Sequence, residues 1–181
     1  GRIPLYLLDT NIAENTPAAR EITSHLYAGD HKIRLAQEML LGIGGMTALA
    51  SMNIKTKVLH MNEGHSAFAS LQRLAQIMVD YDVDLKTAFE IIPRTTVFTT
   101  HTPVAAGHDE FAADLVKPYL KPLEEKLHVS VDEILSWGQP VGSNADAPLS
   151  MFILALHMSA YCNGVSKLHG AVARRMWSHV W

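Results

Sequence analysis

Thr95-Thr96-Val97-Phe98-Thr99-Thr100-His101-Thr102-Pro103 is the stretch on which the fold turns. Its β-branched and aromatic residues suit a pleated strand, and Pro103 cannot extend one. Upstream, Lys55 to His60 reads as another strand, and the polar turn Asn62-Glu63-Gly64 leads from it into a helix over Ser66 to Val79. Asp84, a side chain able to cap a helix start, opens a shorter helix to Ile91, which Pro93 closes. With a strand over Ile3 to Leu8 and a helix over His31 to Met52 ahead of these, the order strand, helix, strand, helix, strand predicts parallel βαβ units with right-handed crossovers, so the fold class is α/β. Further out, Ile3 to Leu8 reads as a buried strand ending in the polar turn Asp9-Thr10-Asn11. His31 to Met52 has apolar residues at helical spacing behind Asp30 as N-cap, with Gly42, Gly44 and Gly45 inside it pointing to close packing against a neighbour. A phosphate-cradling loop is the alternative use of such glycines, but it belongs between a strand and a helix. The region 104–146 is less regular, with helices expected over Pro122 to Leu127 and Val131 to Trp137 and a surface loop through Gly138, Pro140, Gly142 and Ser143. Met151 to Tyr161 predicts an apolar helix, Asn163 to Lys167 a short strand, and His169 to Trp181 a last helix.

Composition narrows the function. Fifteen Lys and Arg against 18 Asp and Glu give a formal charge of −3 without a block of like charge, so no polyanion or nucleic-acid surface is expected. Cys162 is the single cysteine, which excludes an internal disulfide and a cysteine-based zinc site and fits a cytoplasmic location. No apolar run reaches bilayer-spanning length, and Gly1-Arg2-Ile3-Pro4 lacks a signal-peptide layout, so no membrane partner is expected.

In a parallel sheet, ligands bind at the carboxyl ends of the strands. Two expected strands end in polar clusters there: His60-Met61-Asn62-Glu63-Gly64-His65-Ser66, and Thr99-Thr100-His101-Thr102-Pro103 followed by Gly107-His108-Asp109-Glu110. Each has a bland reading, because a strand-end histidine is commonly a structural tie and Glu63 suits a helix N-terminus without any ligand. Together they predict a convergent polar site. A metal-dependent hydrolase using His60, His65, His101, His108 and Asp109 competes with this reading, yet the step from His60 to His65 lacks the one-face spacing of a helical metal motif. A non-catalytic carbohydrate-binding module is a further alternative, as is a nucleotide-sugar transferase of the same layout.

At these residues the sequence resembles the α-glucan (glycogen/maltodextrin) phosphorylases, in particular their shorter bacterial and archaeal branch. The resemblance is carried by Asn11-Ile12-Ala13-Glu14-Asn15, Leu26-Tyr27, Arg34-Leu35-Ala36-Gln37-Glu38, His60 to His65, Phe98 to Val104 and Asn163 to Gly170. It implies that residues 1–181 are part of the N-terminal α/β domain, a partial Rossmann-like parallel sheet with flanking helices, of a two-domain glycosyltransferase. The C-terminal cofactor domain would then lie outside this chain. The implied reaction is phosphorolysis of terminal α-1,4-glucosidic bonds to glucose 1-phosphate, with α-1,4-glucan and phosphate as partners and a homo-oligomer as the assembly. By that resemblance His101 is the catalytic-site histidine beside the transferred sugar, with its carbonyl facing charge that develops at the anomeric carbon. Glu63, His65, His101 and Thr102 bind substrate. Pyridoxal phosphate is implied for the full-length enzyme, but none of Lys55, Lys57, Lys86, Lys117, Lys121, Lys126 or Lys167 resembles the family's cofactor lysine. The 181 residues alone are therefore expected to be inactive. Ser66 and Ala171 depart from the family's usual proline and acidic residue.

Overall fold

A computed structural model describes residues 2–26 and 29–180. Three short strands, β1 (Leu59–Asn62), β2 (Thr96–Thr100) and β5 (Tyr161–Gly164), form a parallel sheet in the order β1-β2-β5. Met61 faces Phe98 across the first pair, and Phe98 faces Cys162 across the second. The crossover from β1 to β2 runs through helices α4 (Phe68–Tyr81) and α5 (Leu85–Ile91). The α/β class with a parallel sheet and flanking helices is thus as expected.

The pleat gives the sheet two unlike faces. Met61 and Phe98, both buried, look onto α4 and onto α9 (Met151–His157), whose Phe68, Leu71, Leu74, Phe152 and Leu154 form the centre of the core. Phe98 and Phe152 meet edge to face with centroids 5.3 Å apart. The opposite face carries His60, Asn62 and Asn163, all exposed, with Thr99 between them. A polar row crosses it: His60 Nε2 is 2.8 Å from Thr99 Oγ1, which donates to Asn163 Oδ1 at 3.0 Å.

The helix expected from His31 to Met52 is present but not uniform. α2 (His31–Met39) starts at Asp30, whose carboxylate accepts the N–H groups of Lys32 and Ile33. A π-helical turn, Leu40–Gly44, follows before α3 (Gly45–Ser51). Gly42 lies in this wide turn directly against the start of α4, where a Cβ would come within 2.6 Å of the Ala69 nitrogen. Gly42 therefore serves packing, whereas nothing lies within 4 Å of a Cβ at Gly45.

Elsewhere the sequence-based expectations need correction. Ile3 to Leu8 belongs to neither sheet, and Ile3, Leu5 and Leu7 are largely exposed. An apolar run becomes a strand only when a neighbour takes up its backbone groups, and no described segment does so. The strand expected from Lys55 begins only at Leu59, because β2 offers a partner only to residues 59–62. Region 104–146 is more ordered than expected. It holds a two-residue strand, β3 (Glu110–Phe111), paired antiparallel with β4 (Leu149–Ser150), and helix α6 (Ala113–Leu120), which contains Pro118 in its last turn. α7 (Glu124–Leu127) and α8 (Val131–Ser136) follow, the latter capped by Ser130 as its sequence position suggests. The last helix, α10 (Lys167–Met176), starts two residues earlier than expected, behind the Ser166 cap. Tyr27 of the resemblance motif and Trp181 of the expected last helix lie outside the described residues. Among the described residues, no helix is long and apolar enough to cross a membrane.

Candidate functional site

β1 and β2 run in the same direction, so the turns after Asn62 and after Thr100 leave the same edge of the sheet. Glu63 joins them. Its backbone takes a positive φ of 74°, unusual for a side chain with a Cβ, and its N–H still donates to the Thr99 carbonyl at 2.9 Å. This bend sends the carboxylate under the second turn. Oε1 accepts the backbone N–H of His101, the N–H of Thr102 at 2.8 Å and the Thr100 hydroxyl at 3.3 Å. Burial pushes the Glu63 carboxyl up, but the His101 and Thr102 amides and the nearby His108 outweigh it and hold it below the ordinary carboxylate value. It stays anionic.

Beside Glu63 opens a cavity of about 470 Å³. Glu63, His65 and Thr102 line it, together with Arg34, His108 and Asp109. Gly64 keeps its floor tight, since a Cβ there would sit 3.3 Å from the backbone of Met151 and Phe152. His101 stands apart from the other three predicted residues. It is exposed outside the cavity lining, and its Nε2 bonds to Oδ1 of Asn62 on the open sheet face. The predicted residues therefore share one sheet end but present two surfaces: Glu63, His65 and Thr102 to the cavity, His101 to the open face.

Burial, then the charge of Arg34, lowers the His65 imidazole below its usual range despite Glu63 and Asp109. His108 is likewise lowered, first by burial, against the opposing pull of Glu63. Imidazoles that stay neutral at neutral pH can both donate to and accept from a hydroxyl. Arg34 reaches two carboxylates, with Nε 2.8 Å from Glu38 Oε1 and Nη2 2.8 Å from Asp109 Oδ2. Glu38 is almost completely buried, and burial followed by the charge of Asp109 pushes it up to about 9. Burial also raises Asp109, but hydrogen bonds from Arg34 and Glu38 outweigh it, so Asp109 carries the negative charge of the pair.

A test of that protonated carboxyl follows. Between its ordinary value of 4.5 and about 9, folded Glu38 holds a proton that the unfolded chain has released, so stability falls as pH rises through this window. Glu38→Gln removes that dependence. Its stability relative to wild type should grow from pH 5 to pH 8.5 in urea unfolding, and a constant difference would show that Glu38 is ionised in the fold.

Arg34, Asn62 and Asn163 were not singled out as site residues from the sequence. Arg34 sits inside a resemblance motif, which was its available signal. Asn62 and Asn163 come to the sheet end only through the register, at the carboxyl-side ends of β1 and β5. Among the described residues, no three His, Cys, Asp or Glu side chains gather in a metal-binding group. His65, His108 and Asp109 line the cavity while His60 and His101 are on the open face, so the residues of the metal reading do not all meet.

An α/β chain with polar groups gathered at the carboxyl edge of a parallel sheet is a ligand-binding architecture by class. No protein-family model matches the chain. It is 43% identical over 181 residues to maltodextrin phosphorylase of Thermococcus litoralis, an alignment covering 100% of the chain and 21% of that protein. Glycogen phosphorylase of Mycobacterium tuberculosis is 37% identical over 192 residues, covering 100% of the chain and 22% of that protein. Glycogen phosphorylase of Aquifex aeolicus is 32% identical over 98% of the chain and 25% of that protein. The chain is thus a homologue, along its whole length, of one segment of the glycogen and maltodextrin phosphorylases, and spans between a fifth and a quarter of these curated relatives.

Proposed function

We propose that this chain forms part of the N-terminal sugar-binding wall of a glycogen or maltodextrin phosphorylase, and that the longer protein cleaves terminal α-1,4 linkages with phosphate to release glucose 1-phosphate. The observation that carries the reading is the Glu63 carboxylate, which ties the turn of His101 and Thr102 to the end of β1 beside a polar cavity. His101 is the residue proposed to contact the transferred sugar, with Glu63, His65 and Thr102 as the surrounding substrate-binding groups.

The chemistry suits such a role. A glucosyl unit leaving its partner acquires positive charge at the anomeric carbon, and fixed negative groups and carbonyl dipoles stabilise that charge without reorganising. Glu63 is such a group, immobilised by three donors. The neutral imidazole of His65 and the Thr102 hydroxyl can hold sugar hydroxyls in place, which lowers the entropic part of the barrier. His101, braced by Asn62, acts by hydrogen bonding rather than as a proton donor.

Relatives named as phosphorylases suggest pyridoxal phosphate as cofactor. The residues here do not fit it, because among the described residues no lysine lines the cavity to bind an aldehyde. Its lysine is proposed to lie elsewhere in the longer protein, and no step is assigned to it. Cytoplasmic location and homo-oligomeric assembly belong to the same proposal.

The assay is phosphate-dependent release of glucose 1-phosphate from maltooligosaccharides by the longer protein. His101→Ala should lower kcat by about 100-fold or more, the scale of losing one orienting contact at a reacting centre. No phosphate-dependent release by wild type, or full turnover by His101→Ala, would sink the reading.

A further inference from the structure

Behind Glu63, on the side away from solvent, lies His108, and its surroundings are specific. Its side chain is 2% exposed. Phe152 and Trp177 stack on each other with centroids 3.9 Å apart and planes within 9°, and His108 meets both edge to face, each at 5.1 Å. The ring is thus held in a fixed plane by one residue of α9 and one just beyond α10. From that slot Nδ1 lies 3.9 Å from Glu63 Oε2. The Thr102 backbone lies beside the imidazole. The charged and titratable groups around it are Glu63, Asp109 and His169.

These contacts form a continuous path. The aromatic pair fixes His108, His108 abuts the Thr102 backbone and the second oxygen of Glu63, and Glu63 fixes the amides of His101 and Thr102. We propose that His108 is a positioning residue: it sets the His101–Thr102 turn from the protein interior, and through that turn it sets the sugar contact of His101. The last step of this path rests on the function proposed above, whereas the first does not. Packing alone does not account for His108, because a purely apolar ring would fill the same slot without burying a polar group.

Two variants separate positioning from simple filling, each made in the full-length natural protein that carries these residues. His108→Phe keeps a ring against the Phe152–Trp177 pair but removes the Nδ1 group. His108→Asn loses the ring but keeps a donor near the Nδ1 position. Hydrogen exchange read by mass spectrometry should show the amides of residues 101–102 in His108→Phe exchanging roughly tenfold faster, the shift expected when a hydrogen bond in a charged network is lost. Amides of residues 97–98 in β2 should stay as in wild type, and His108→Asn should recover part of the protection. In the phosphorolysis assay, His108→Phe should lower kcat more than it changes KM.

Equal protection of the turn in wild type and His108→Phe would overturn the proposal. So would joint loss at the turn and at β2 in both variants, which would make His108 a general core residue. Faster exchange at the turn in His108→Phe, with no phosphorolysis by wild type, would leave the positioning role standing and reject the function instead.

Discussion

Glu63→Ala is expected to abolish most turnover of the longer phosphorylase, lowering kcat by about 100- to 1,000-fold, the scale of losing one preorganised electrostatic group. The same change should destabilise the fold. Oε1 accepts two backbone N–H groups and a threonine hydroxyl, so alanine leaves three donors without their partner in a half-buried turn. At about 1 to 3 kcal/mol for each unsatisfied buried donor, with water replacing part of the loss, the net cost is roughly 3 to 5 kcal/mol. Glu63→Gln keeps an oxygen acceptor but not the charge, and should fall between wild type and alanine in both readouts. Because the folded carboxyl is held below its ordinary value, its stabilisation is complete above about pH 4.5 and fades as pH falls through the folded value. Denaturant melts and steady-state kinetics check both effects, and an alanine variant with unaltered stability and rate would refute the bridging role.

Gly42→Ala is the second large effect, and it reaches stability alone. Alanine is the better helix former by about 1 kcal/mol, so an unobstructed site would gain from the change. At Gly42 the added carbon would lie 2.6 Å from the Ala69 nitrogen and 2.8 Å from the Phe68 carbonyl carbon. Both are backbone atoms of α4 and cannot swing aside, so the helices must separate at a cost of about 3 kcal/mol, the upper range of overpacking. Gly45 provides the internal comparison, since nothing lies within 4 Å of the position its Cβ would take. Gly45→Ala should be neutral or stabilising by up to about 1 kcal/mol. Urea midpoints of the two variants should therefore move in different directions, and similar shifts would mean that the helix contact is looser than described.

The parallel sheet and its crossovers were legible because β2 is rich in β-branched residues and because Asp30, Asp84 and Ser130 mark helix starts with their own side chains. The polar strand ends were legible for the same local reason. Ile3 to Leu8 misled because strand composition reports suitability for a sheet but not the presence of a neighbour. The diversion of Glu63 under the next turn could not be read, since a positive φ at a glutamate carries no sequence signal. Nor could Arg34, which comes to Asp109 across 75 positions of chain, or the separation of His101 from His65 onto different surfaces. Those relations depend on pleat and register, which are fixed by pairing between distant segments.

The wide turn over Leu40–Gly44 also carries a length dependence. Its five residues cover little more rotation than four residues of a regular helix at about 100° each, so shortening the segment by a single codon would restore a regular spiral with the faces of α2 and α3 almost unturned. The bulge that brings Gly42 against α4 would go, with no substitution anywhere in the chain. A mutation map limited to substitutions would miss this dependence, because the determinant is the number of residues in the turn rather than their identity.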